Sequence, residues 1–466
     1  MNKYYILYSK PSCTIISESF VQNRIDAQFY SSEYLTIEKI EFDNGLDYVE
    51  LGEIGTNFSY GTPPYGHICD KGVPYLRIPD IEDDFFLSDS NIAFIDKEYH
   101  LKNIRNEVKA GDVLFRIKGQ LGQALVVPQK LSNSHTGSSF LRFTPKSINP
   151  YFLVCYLNSS FGRNQINRKQ SNSIIQYLNI DDITSIRVPI PSPEIQKYIG
   201  DKVRKAEELR EEAKTLQKEI DILLEVDMLL KEETDKVYNI YDSKINWTNE
   251  INIEDRIDPN FYQKKYISTI EKLGNNKVRL EKYVRITKIR YQTGNINKYI
   301  EISSINNSFG TIDEVEELRP EEIPTSAKYQ VKEGDILVSL VRPTRKAISI
   351  VTKEYDNAIC TGGFAVLQSK GKVPVEFLTA VLRTNFVGIQ FERYCAGSTY
   401  PTINEDDVVK VFIPMYSENQ INKITENYRR IIDNIYTSKK LIEEAKQDVE
   451  DLIEGNFDMS KVKANS

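Results

Sequence analysis

The sequence predicts two similar mixed α/β domains that are separated by long helices. Three observations point to this fold: the chain contains one long internal repeat, each copy has short β-branched runs between turn residues, and each copy is followed by an apolar stripe of helical spacing. At 466 residues the chain is also longer than one hydrophobic core usually spans. We therefore expect an α+β fold in which two homologous mixed α/β domains, related by a pseudo-twofold internal repeat, are separated by two long antiparallel coiled-coil helices.

The internal repeat consists of motifs that occur twice in the same order. They are Arg-Ile-Asp-x-x-Phe-Tyr at 24–30 and 256–262, Val-Lys-x-Gly-Asp at 108–112 and 331–335, Thr-Gly at 136–137 and 361–362, and Asp-Asp-Ile or Asp-Asp-Val at 181–183 and 406–408. The offset stays between 223 residues (331 minus 108) and 232 residues (256 minus 24). So long a period, present only twice, indicates a duplicated domain, because solenoid repeats are typically about 20 to 50 residues long.

Each copy contains patterns typical of strands and of helices. Apolar β-branched runs at 113–117 and 124–127 follow the first Gly-Asp pair and are joined by a Gly-containing loop, and matching runs occur at 336–341 and 347–351. Apolar residues at helical spacing then follow, as at 150–158. Each copy is therefore predicted to be a mixed α/β domain with a strand-rich core.

A long amphipathic helix is predicted after each copy. Apolar residues step by alternating three and four positions from Ile421 to Leu452, and from Ile199 to Leu223 with one irregular step. Each stripe needs an apolar partner, and two helices of similar length most simply pair antiparallel with each other. A single solvated helix in each place is the alternative.

These patterns divide the chain into four predicted segments. They are a first domain at 1–188, a first long helix and linker at 189–245, a second domain at 246–414, and a second long helix and tail at 415–466. The first 23 residues match no part of the repeat.

Composition limits the kinds of site that the chain can contain. The five cysteines lie far apart without a Cys-x-x-Cys pair, and only three histidines are present, so no metal-ligand spacing occurs and reduced thiols are expected. No stretch approaches 18 consecutive apolar residues, and the N-terminus lacks a signal-peptide pattern. We therefore expect a cytoplasmic protein that does not contact a membrane.

Basic residues are concentrated in each copy, although the formal net charge of the chain is −7. Residues 113–180 contain eight Lys and Arg and no Asp or Glu, whereas in the second copy the basic block covers 277–298, with Glu281 as its only acid. Lys and Arg near loops, with Tyr, Asn and Gln between them, suit phosphate neutralisation and hydrogen bonding to base edges. Charge runs are often only solvated faces. The presence of such a run in both copies favours nucleic-acid binding.

Several stretches resemble the specificity subunits of type I restriction-modification enzymes. Gly61-Thr62-Pro63, followed by Gly-Val-Pro-Tyr-Leu-Arg-Ile-Pro-Asp-Ile at 72–81, resembles the segment that opens their target-recognition domains. Residues 181–196 resemble the segment that leads into their long helix, and 406–420 resemble it again. The resemblance covers nearly the whole chain. The second copy departs from it in lacking the Gly-Thr-Pro, and the first has a single acid before Gln196 where the family usually has two.

The resemblance implies a noncatalytic DNA-specificity subunit that acts in phage defence. Its two target-recognition domains would each read one half of a bipartite site in double-stranded DNA. Two methyltransferase subunits would dock on its helices, and restriction (motor-nuclease) subunits would complete the complex. AdoMet, Mg and ATP would be bound by those partners, and no cofactor by this chain.

Candidate residues follow from the loops and from the helix stripes. The DNA-binding candidates are Tyr60, Thr62, Arg116, Lys118, Gln120, Arg163, Arg168, Lys169, Lys288, Arg290, Tyr291, Arg342, Arg345, Lys346, Thr399 and Tyr400. The partner-binding candidates are Ile199, Val203, Ile220, Ile424, Tyr428 and Ile442. No catalytic or metal-binding residue is predicted.

Two motifs leave enzymatic alternatives open. Thr62-Pro63-Pro64-Tyr65 is close to the Asn/Asp-Pro-Pro-Tyr of amino-methyltransferases, but a threonine lacks the carbonyl oxygen that accepts from the target amine. Asp80 with Glu107-Val108-Lys109 imitates the metal-binding Asp and Glu-x-Lys of many nucleases, but the second copy has Ser304 and Gln330 at the acidic positions. The alternatives are a metal-dependent nuclease, a fused methyltransferase, and the specificity chain of a related phage-defence assembly.

Overall fold

The computed structural model describes most of the chain. The described residues are 29–31, 34–35, 39–40, 44–82, 85–89, 91–169, 178–224, 256, 258–397 and 399–464. Residues 1–23, for which the sequence predicts no element, and most of the predicted linker after the first long helix lie outside them.

Twelve helices occur in the described residues, and two of them are long. They are α1 Leu51–Ile54, α2 Lys97–Lys102, α3 Pro150–Asn158, α4 Ser160–Lys169, α5 Ile180–Thr184, α6 Pro193–Leu224, α7 Lys264–Glu271, α8 Val375–Leu382, α9 Asn385–Tyr394, α10 Glu405–Val408, α11 Glu418–Ile453 and α12 Ser460–Ala464. Helices α6 and α11 contain the two apolar stripes, as the sequence predicts.

The chain divides into two compact units. The first consists of residues 1–208 and 438–466, and the second of residues 209–437. One boundary falls inside α6 and the other inside α11, so each unit contains part of each long helix. The four predicted segments instead assigned each helix to a segment of its own.

The described residues of the first unit contain ten strands in three sheets. They are β1 Tyr48–Glu50, β2 Gly55–Tyr60, β3 Ile68–Cys69, β4 Val73–Leu76, β5 Ala93–Ile95, β6 Val113–Arg116, β7 Ala124–Val126, β8 His135–Thr136, β9 Phe140–Pro145 and β10 Arg187–Pro189. β1 pairs with β10, the central sheet has the order β2-β9-β6-β7, and the outer sheet has the order β3-β5-β4-β8. The central sheet is antiparallel throughout, and the pair β4–β8 is parallel.

The part of the second unit that the structure describes also contains ten strands in three sheets. They are β11 Lys277–Arg279, β12 Val284–Ile286, β13 Asn297–Ile300, β14 Glu316–Leu318, β15 Ala327–Gln330, β16 Ile336–Ser339, β17 Ile348–Ile350, β18 Ile359–Thr361, β19 Phe364–Ser369 and β20 Phe412–Pro414. β11 pairs with β20, the central sheet has the order β12-β19-β16-β17, and the outer sheet has the order β14-β13-β18-β15. The central sheets of the two units therefore have the same topology, and each outer sheet contains one parallel pair. The mixed α/β prediction for each copy is confirmed.

The repeated Gly-Asp motif forms the same turn in both units. Gly111 and Gly334 have φ angles of 86° and 83°, a left-handed conformation that favours glycine. The neighbouring carboxylates are buried, and Asp112 and Asp335 each accept a hydrogen bond of 2.9 Å from the backbone N–H three residues earlier. The motif thus fixes the turn that leads into β6 or β16.

Helices α6 and α11 run antiparallel within each unit. In the first unit, Lys202 Nζ lies 2.6 Å from Asp448 Oδ2, and Ser438 Oγ donates to Ala206 O at 3.0 Å. In the second unit, Arg430 pairs with Glu212, and Asn427 Nδ2 donates to Glu219 Oε2 at 3.0 Å. The predicted antiparallel pairing of the two apolar stripes is therefore confirmed.

Each unit places its hydrophobic core between the central sheet and its helices. In the first unit, Phe115 and Phe143 of the central sheet share a core with Phe152 of α3, Ile199 of α6 and Val449 of α11. The stripes on the long helices thus complete the core of a unit. Within the described part of the chain, every helix is too short or too polar to cross a bilayer.

Candidate nucleic-acid interface

In the first unit, two loops leave the central sheet at the same end. The last residue of β2, Tyr60, pairs with Leu141, and the last residue of β6, Arg116, pairs with Phe140. Because both strands end where β9 begins, the loops 61–67 and 117–123 emerge side by side. We call this edge the loop end of the sheet.

The second unit has a loop end at the matching place. β16 ends at Ser339, opposite Phe364 at the start of β19. The chain after β12 continues antiparallel to β19 toward the same end of the sheet, since Thr287 N–H donates to Val366 O at 2.9 Å. The loop 340–347 and the residues after 287 therefore leave this sheet at one end. These two segments contain the basic residues of the second copy that are predicted to bind DNA.

Three predicted residues meet at the loop end of the second unit. The backbone N–H of Arg342 donates to Pro401 O at 2.8 Å, and its guanidinium lies 4.5 Å from the centre of the Tyr400 ring. Arg342 Nη2 also donates to Thr399 O at 3.3 Å. Two segments that are 57 residues apart in sequence thus form one surface. The corresponding stretch of the first unit, after α4, lies outside the described residues.

The basic loop of the second unit has a fixed and unusual backbone. Arg342 and Lys346 have φ angles of 47° and 61°, a region that non-glycine residues seldom adopt. The buried Arg383 supports the loop from below, donating to Lys346 O at 2.8 Å and to Ile348 O at 3.1 Å. Burial lowers the pKa of Arg383. Sequence reasoning missed this residue, because no local pattern marks an arginine whose acceptors are carbonyls of distant residues.

Lys288 lies beside a buried acid. Its Nζ is 2.7 Å from Glu405 Oε2, and Glu405 Oε1 accepts from the Tyr329 hydroxyl at 2.9 Å and from Lys328 at 3.3 Å. Burial acts to raise the pKa of Glu405, but the hydrogen bonds from Lys288, Tyr329 and Lys328 hold it below its usual value. The hydrogen bond to Glu405 and the nearby carboxylate of Asp406 both raise the pKa of Lys288, so two acids balance Lys288 and Lys328 here. Arg290 is exposed and Tyr291 is half-buried nearby in sequence.

The loop 117–123 of the first unit presents two of its predicted residues. Lys118 and Gln120 are exposed. Arg116 instead supports the loop, since its Nε donates to Lys118 O at 3.0 Å and its Nη1 to Gln123 at 3.0 Å. Arg163 holds the same loop from α4, donating to Leu121 O at 2.9 Å.

Tyr60 and Thr62 also lie at this loop end, but in different surroundings from those expected. Burial raises the pKa of Tyr60, and the nearby carboxylates of Asp181 and Asp182 act in the same direction. Two acids make this position a poor one for a phosphate. The Thr62 hydroxyl is engaged internally, as it lies 3.0 Å from His135 Nε2 and accepts from Asn106 Nδ2 at 3.1 Å.

Arg168 and Lys169 are both bonded within the first unit. Arg168 donates to Phe29 O at 2.8 Å with its guanidinium 4.1 Å from the centre of the Phe29 ring, and Lys169 donates to Ser185 Oγ at 2.9 Å. Arg393 repeats the first arrangement in the second unit, 3.0 Å from Phe261 O and 3.7 Å from that ring. The repeated Phe-Tyr motif thus has a repeated arginine partner.

The run of eight basic residues in 113–180 does not form one surface. Lys130 pairs with Asp89 at 3.0 Å and Arg142 with Asp112 at 3.1 Å. Lys146 is exposed, but it follows the end of β9 and so lies away from the loop end. Most of this charge is therefore used inside the unit, and Lys118 is the exposed cation that remains at its described loop end.

The six helix residues predicted to bind partners are buried within the chain. Their exposed fractions range from 0% to 6%. They are Ile199, Val203, Ile220, Ile424, Tyr428 and Ile442. This corrects the prediction, because the seam that was taken as a partner surface is filled by the chain's own cores. A partner on these helices would contact their outer, charged faces.

The residues of the two enzymatic alternatives are occupied by other contacts. The carboxylate of Asp80 is buried and 3.1 Å from Arg77, while Glu107 lies 3.1 Å from His100 Nε2 and pairs with Lys109. Among the described residues, no cluster of three or more His, Cys, Asp or Glu side chains could hold a metal ion. The Thr-Pro-Pro-Tyr segment lies in the loop 61–67.

Part of the chain matches a known family. The model of the type I restriction modification DNA specificity domain matches residues 44–221. The matched segment is thus similar to the specificity domains of this family. It contains β1 to β10, α1 to α5 and most of α6.

Two curated relatives match similar lengths of the chain. The EcoBI specificity subunit of Escherichia coli is 28% identical over 164 residues, which is 35% of this chain and 34% of that protein. The HindI specificity subunit of Haemophilus influenzae is 24% identical over 151 residues, 31% of this chain and 33% of that protein. The chain thus matches about a third of the length of these relatives.

The solved structures that the chain matches include two specificity subunits of type I systems. The type I S subunit from M. genitalium is 14% identical with a TM-score of 0.44, covering 89% of this chain and 97% of that one. The HsdS subunit from Thermoanaerobacter tengcongensis is 17% identical with a TM-score of 0.31, covering 89% and 97%.

Proposed function

We propose that this chain is the noncatalytic DNA-specificity subunit of a type I restriction-modification complex. One observation carries the proposal: central sheets of the same topology occur in both units, and each has polar and basic loops at its loop end. Lys118 and Gln120 occupy this place in the first unit, and Arg290, Arg345 and Tyr400 in the second. Each unit would read one half of a bipartite site in double-stranded DNA.

The arrangement suits readout by loops on a rigid scaffold. Basic side chains can neutralise phosphates, and Gln, Thr and Tyr side chains can reach base edges in the major groove. The loops are held by side chains from below, Arg163 in the first unit and Arg383 in the second, so little ordering is needed on binding.

The partners and cofactors are part of the same proposal. Methyltransferase subunits would dock on the outer faces of α6 and α11, and restriction subunits would join them. AdoMet, Mg and ATP would then be bound by those subunits. The specificity chain of a related phage-defence assembly would use the same surfaces.

Binding and chemistry can be tested on the purified full chain. Anisotropy with a labelled duplex library of random sequence should show saturable binding that unlabelled duplex competes away. Incubation of the same preparation with DNA, Mg and AdoMet should leave the DNA intact and unmethylated. Any cleavage or methylation would contradict a noncatalytic role. Cleavage that persists in a Glu107→Gln variant would show that the nuclease-like residues considered above are not its source.

A further inference from the structure

The loop 61–67 presents one large side chain to solvent. Tyr65 is 76% exposed, and no hydrogen bond or ring contact joins its side chain to the described part of the chain. Its φ angle is 42°, a conformation that is rare and strained for a bulky residue. The fold therefore holds an aromatic ring outward, at a conformational cost, without gaining any packing from it.

The start of this loop is fixed to the neighbouring strands. Gly61 N–H donates to Phe140 O and Thr62 N–H donates to Thr136 O, each at 3.1 Å. A Cβ atom at Gly61 would lie 2.1 Å from Gly137 O, so only glycine allows this close approach. The Gly-Thr-Pro and Thr-Gly motifs thus meet at the base of the loop.

Two tyrosines hold the rest of the loop. The Tyr75 hydroxyl donates to Thr62 O at 2.8 Å, and the Tyr99 hydroxyl donates to Pro63 O at 2.5 Å. The Tyr99 ring also stacks on His67, with 4.4 Å between ring centroids. Both sides of Tyr65 are therefore anchored, and the position of its ring is restricted.

The Thr62 hydroxyl is directed inward by a chain of buried groups. His100 Nε2–H donates to Glu107 at 3.1 Å. The Nδ1 atom of a neutral His100 is then unprotonated, so it accepts from the Nδ1–H of His135, 3.2 Å away. His135 Nε2 is then an acceptor, and the Thr62 hydroxyl donates to it. Thr62 is thus an anchor of the loop, and its hydroxyl proton is not available to DNA.

We propose that Tyr65 contacts a base pair in the half-site read by the first unit, and that Thr62 is the positioning residue for it. This rests on the proposed function. The loop leaves the sheet at the same end as the loop that contains Lys118 and Gln120, to which the proposed function assigns contacts with a phosphate and a base edge. A held aromatic ring loses little freedom on binding, and it can pack on a thymine methyl group or enter a base step.

The test compares variants of the full chain in a selection from a random duplex library. Tyr65→Ala should relax the base preference at one or two adjacent positions of one half-site, with a loss of roughly 5- to 150-fold for the preferred base pair. Tyr65→Phe should keep the preference, because the ring makes the contact. Met459→Ala removes another exposed apolar side chain, 48% exposed in the segment before α12, and should change nothing.

The positioning role is tested at Thr62. Thr62→Val keeps the shape but removes the hydroxyl, and should relax the same positions as Tyr65→Ala, whereas Thr62→Ser should restore them. An unchanged selected sequence for Tyr65→Ala, with wild-type affinity, would overturn the inference and leave the proposed function intact. If Tyr65→Phe loses the base preference as fully as Tyr65→Ala, the inference that the ring makes the contact would be overturned. Failure of the wild-type chain to select any sequence would instead count against the proposed function.

Discussion

The basic loop of the second unit gives a quantitative prediction for DNA binding. Arg345 is exposed and Lys346 half-exposed at the loop end, where both can reach a phosphate. Each phosphate contact contributes a slope of about −0.9 to the dependence of log affinity on log salt, so the double variant Arg345→Gln/Lys346→Asn should flatten the slope by about 1.8. Between 50 and 200 mM salt, the wild-type chain should lose roughly tenfold more affinity than the variant. Asparagine is chosen at 346 because it tolerates the left-handed backbone.

The matched control removes the same charge from the other end of the sheet. Lys282 and Lys372 are exposed; Lys282 lies two residues before the start of β12 and Lys372 three residues after the end of β19, away from the loop end. Lys282→Gln/Lys372→Gln should leave the slope unchanged. Anisotropy titrations of all three proteins on one duplex at several salt concentrations give the slopes. Equal flattening in both variants would show that only net charge matters, and no flattening in the loop variant would remove this loop from the interface.

Three further predictions concern the supports of the two units. Arg383→Met leaves the carbonyls of Asn307, Ser308, Lys346 and Ile348 without their donor, and should lower the free energy of unfolding by roughly 3 kcal/mol or more in urea titrations; a loss below about 1 kcal/mol would contradict its supporting role. Burial lowers the pKa of His135 to about 4 from 6.5, so at pH values between these two the unfolded chain binds a proton that the folded chain does not. The free energy of unfolding should therefore fall as the pH drops from 6.5 to about 4. His135→Gln should flatten this part of the dependence of stability on pH, and an identical dependence in the variant would refute the assignment. Lys202 and Lys461 both pair with the buried Asp448 carboxylate, so the double variant Lys202→Met/Lys461→Met strands that carboxylate and should cost about 3 kcal/mol, most of which Asp448→Asn in the same chain should restore; strictly additive losses would show that the three groups are not coupled.

The sequence predicted the architecture well because the signals for it are periodic. The apolar stripes of α6 and α11 are long enough to require a partner, and the repeated Gly-Asp turn marks the start of β6 and β16. Arg342, Thr399 and Tyr400 were chosen as DNA-binding candidates, and the structure brings them together. Whether they contact DNA stays a prediction.

Local charge was a weaker guide, because sequence does not show which cations are used inside the fold. Arg163 and Arg168 were counted with Lys118 as DNA-binding candidates. In the structure both donate to backbone carbonyl oxygens, and Arg168 also lies over the Phe29 ring. One available signal was the repeat itself, since Arg168 and Arg393 stand at equivalent positions beside the two copies of the Phe-Tyr motif. The contact between His100 and His135 had no such signal, because 35 residues separate them and the second copy has Cys360 and Gln330 at the positions of His135 and Glu107.

The selection of bound duplexes from a random library by the full wild-type chain tests the central claim most directly. Two units with loop ends of the same kind should enrich a bipartite sequence, with two short specified blocks separated by a gap of fixed length and free sequence. Neutralising Lys118 should weaken selection of one block, and neutralising Arg345 and Lys346 selection of the other. A single continuous block, or loss of both blocks from either variant, would contradict the assignment of one half-site to each unit.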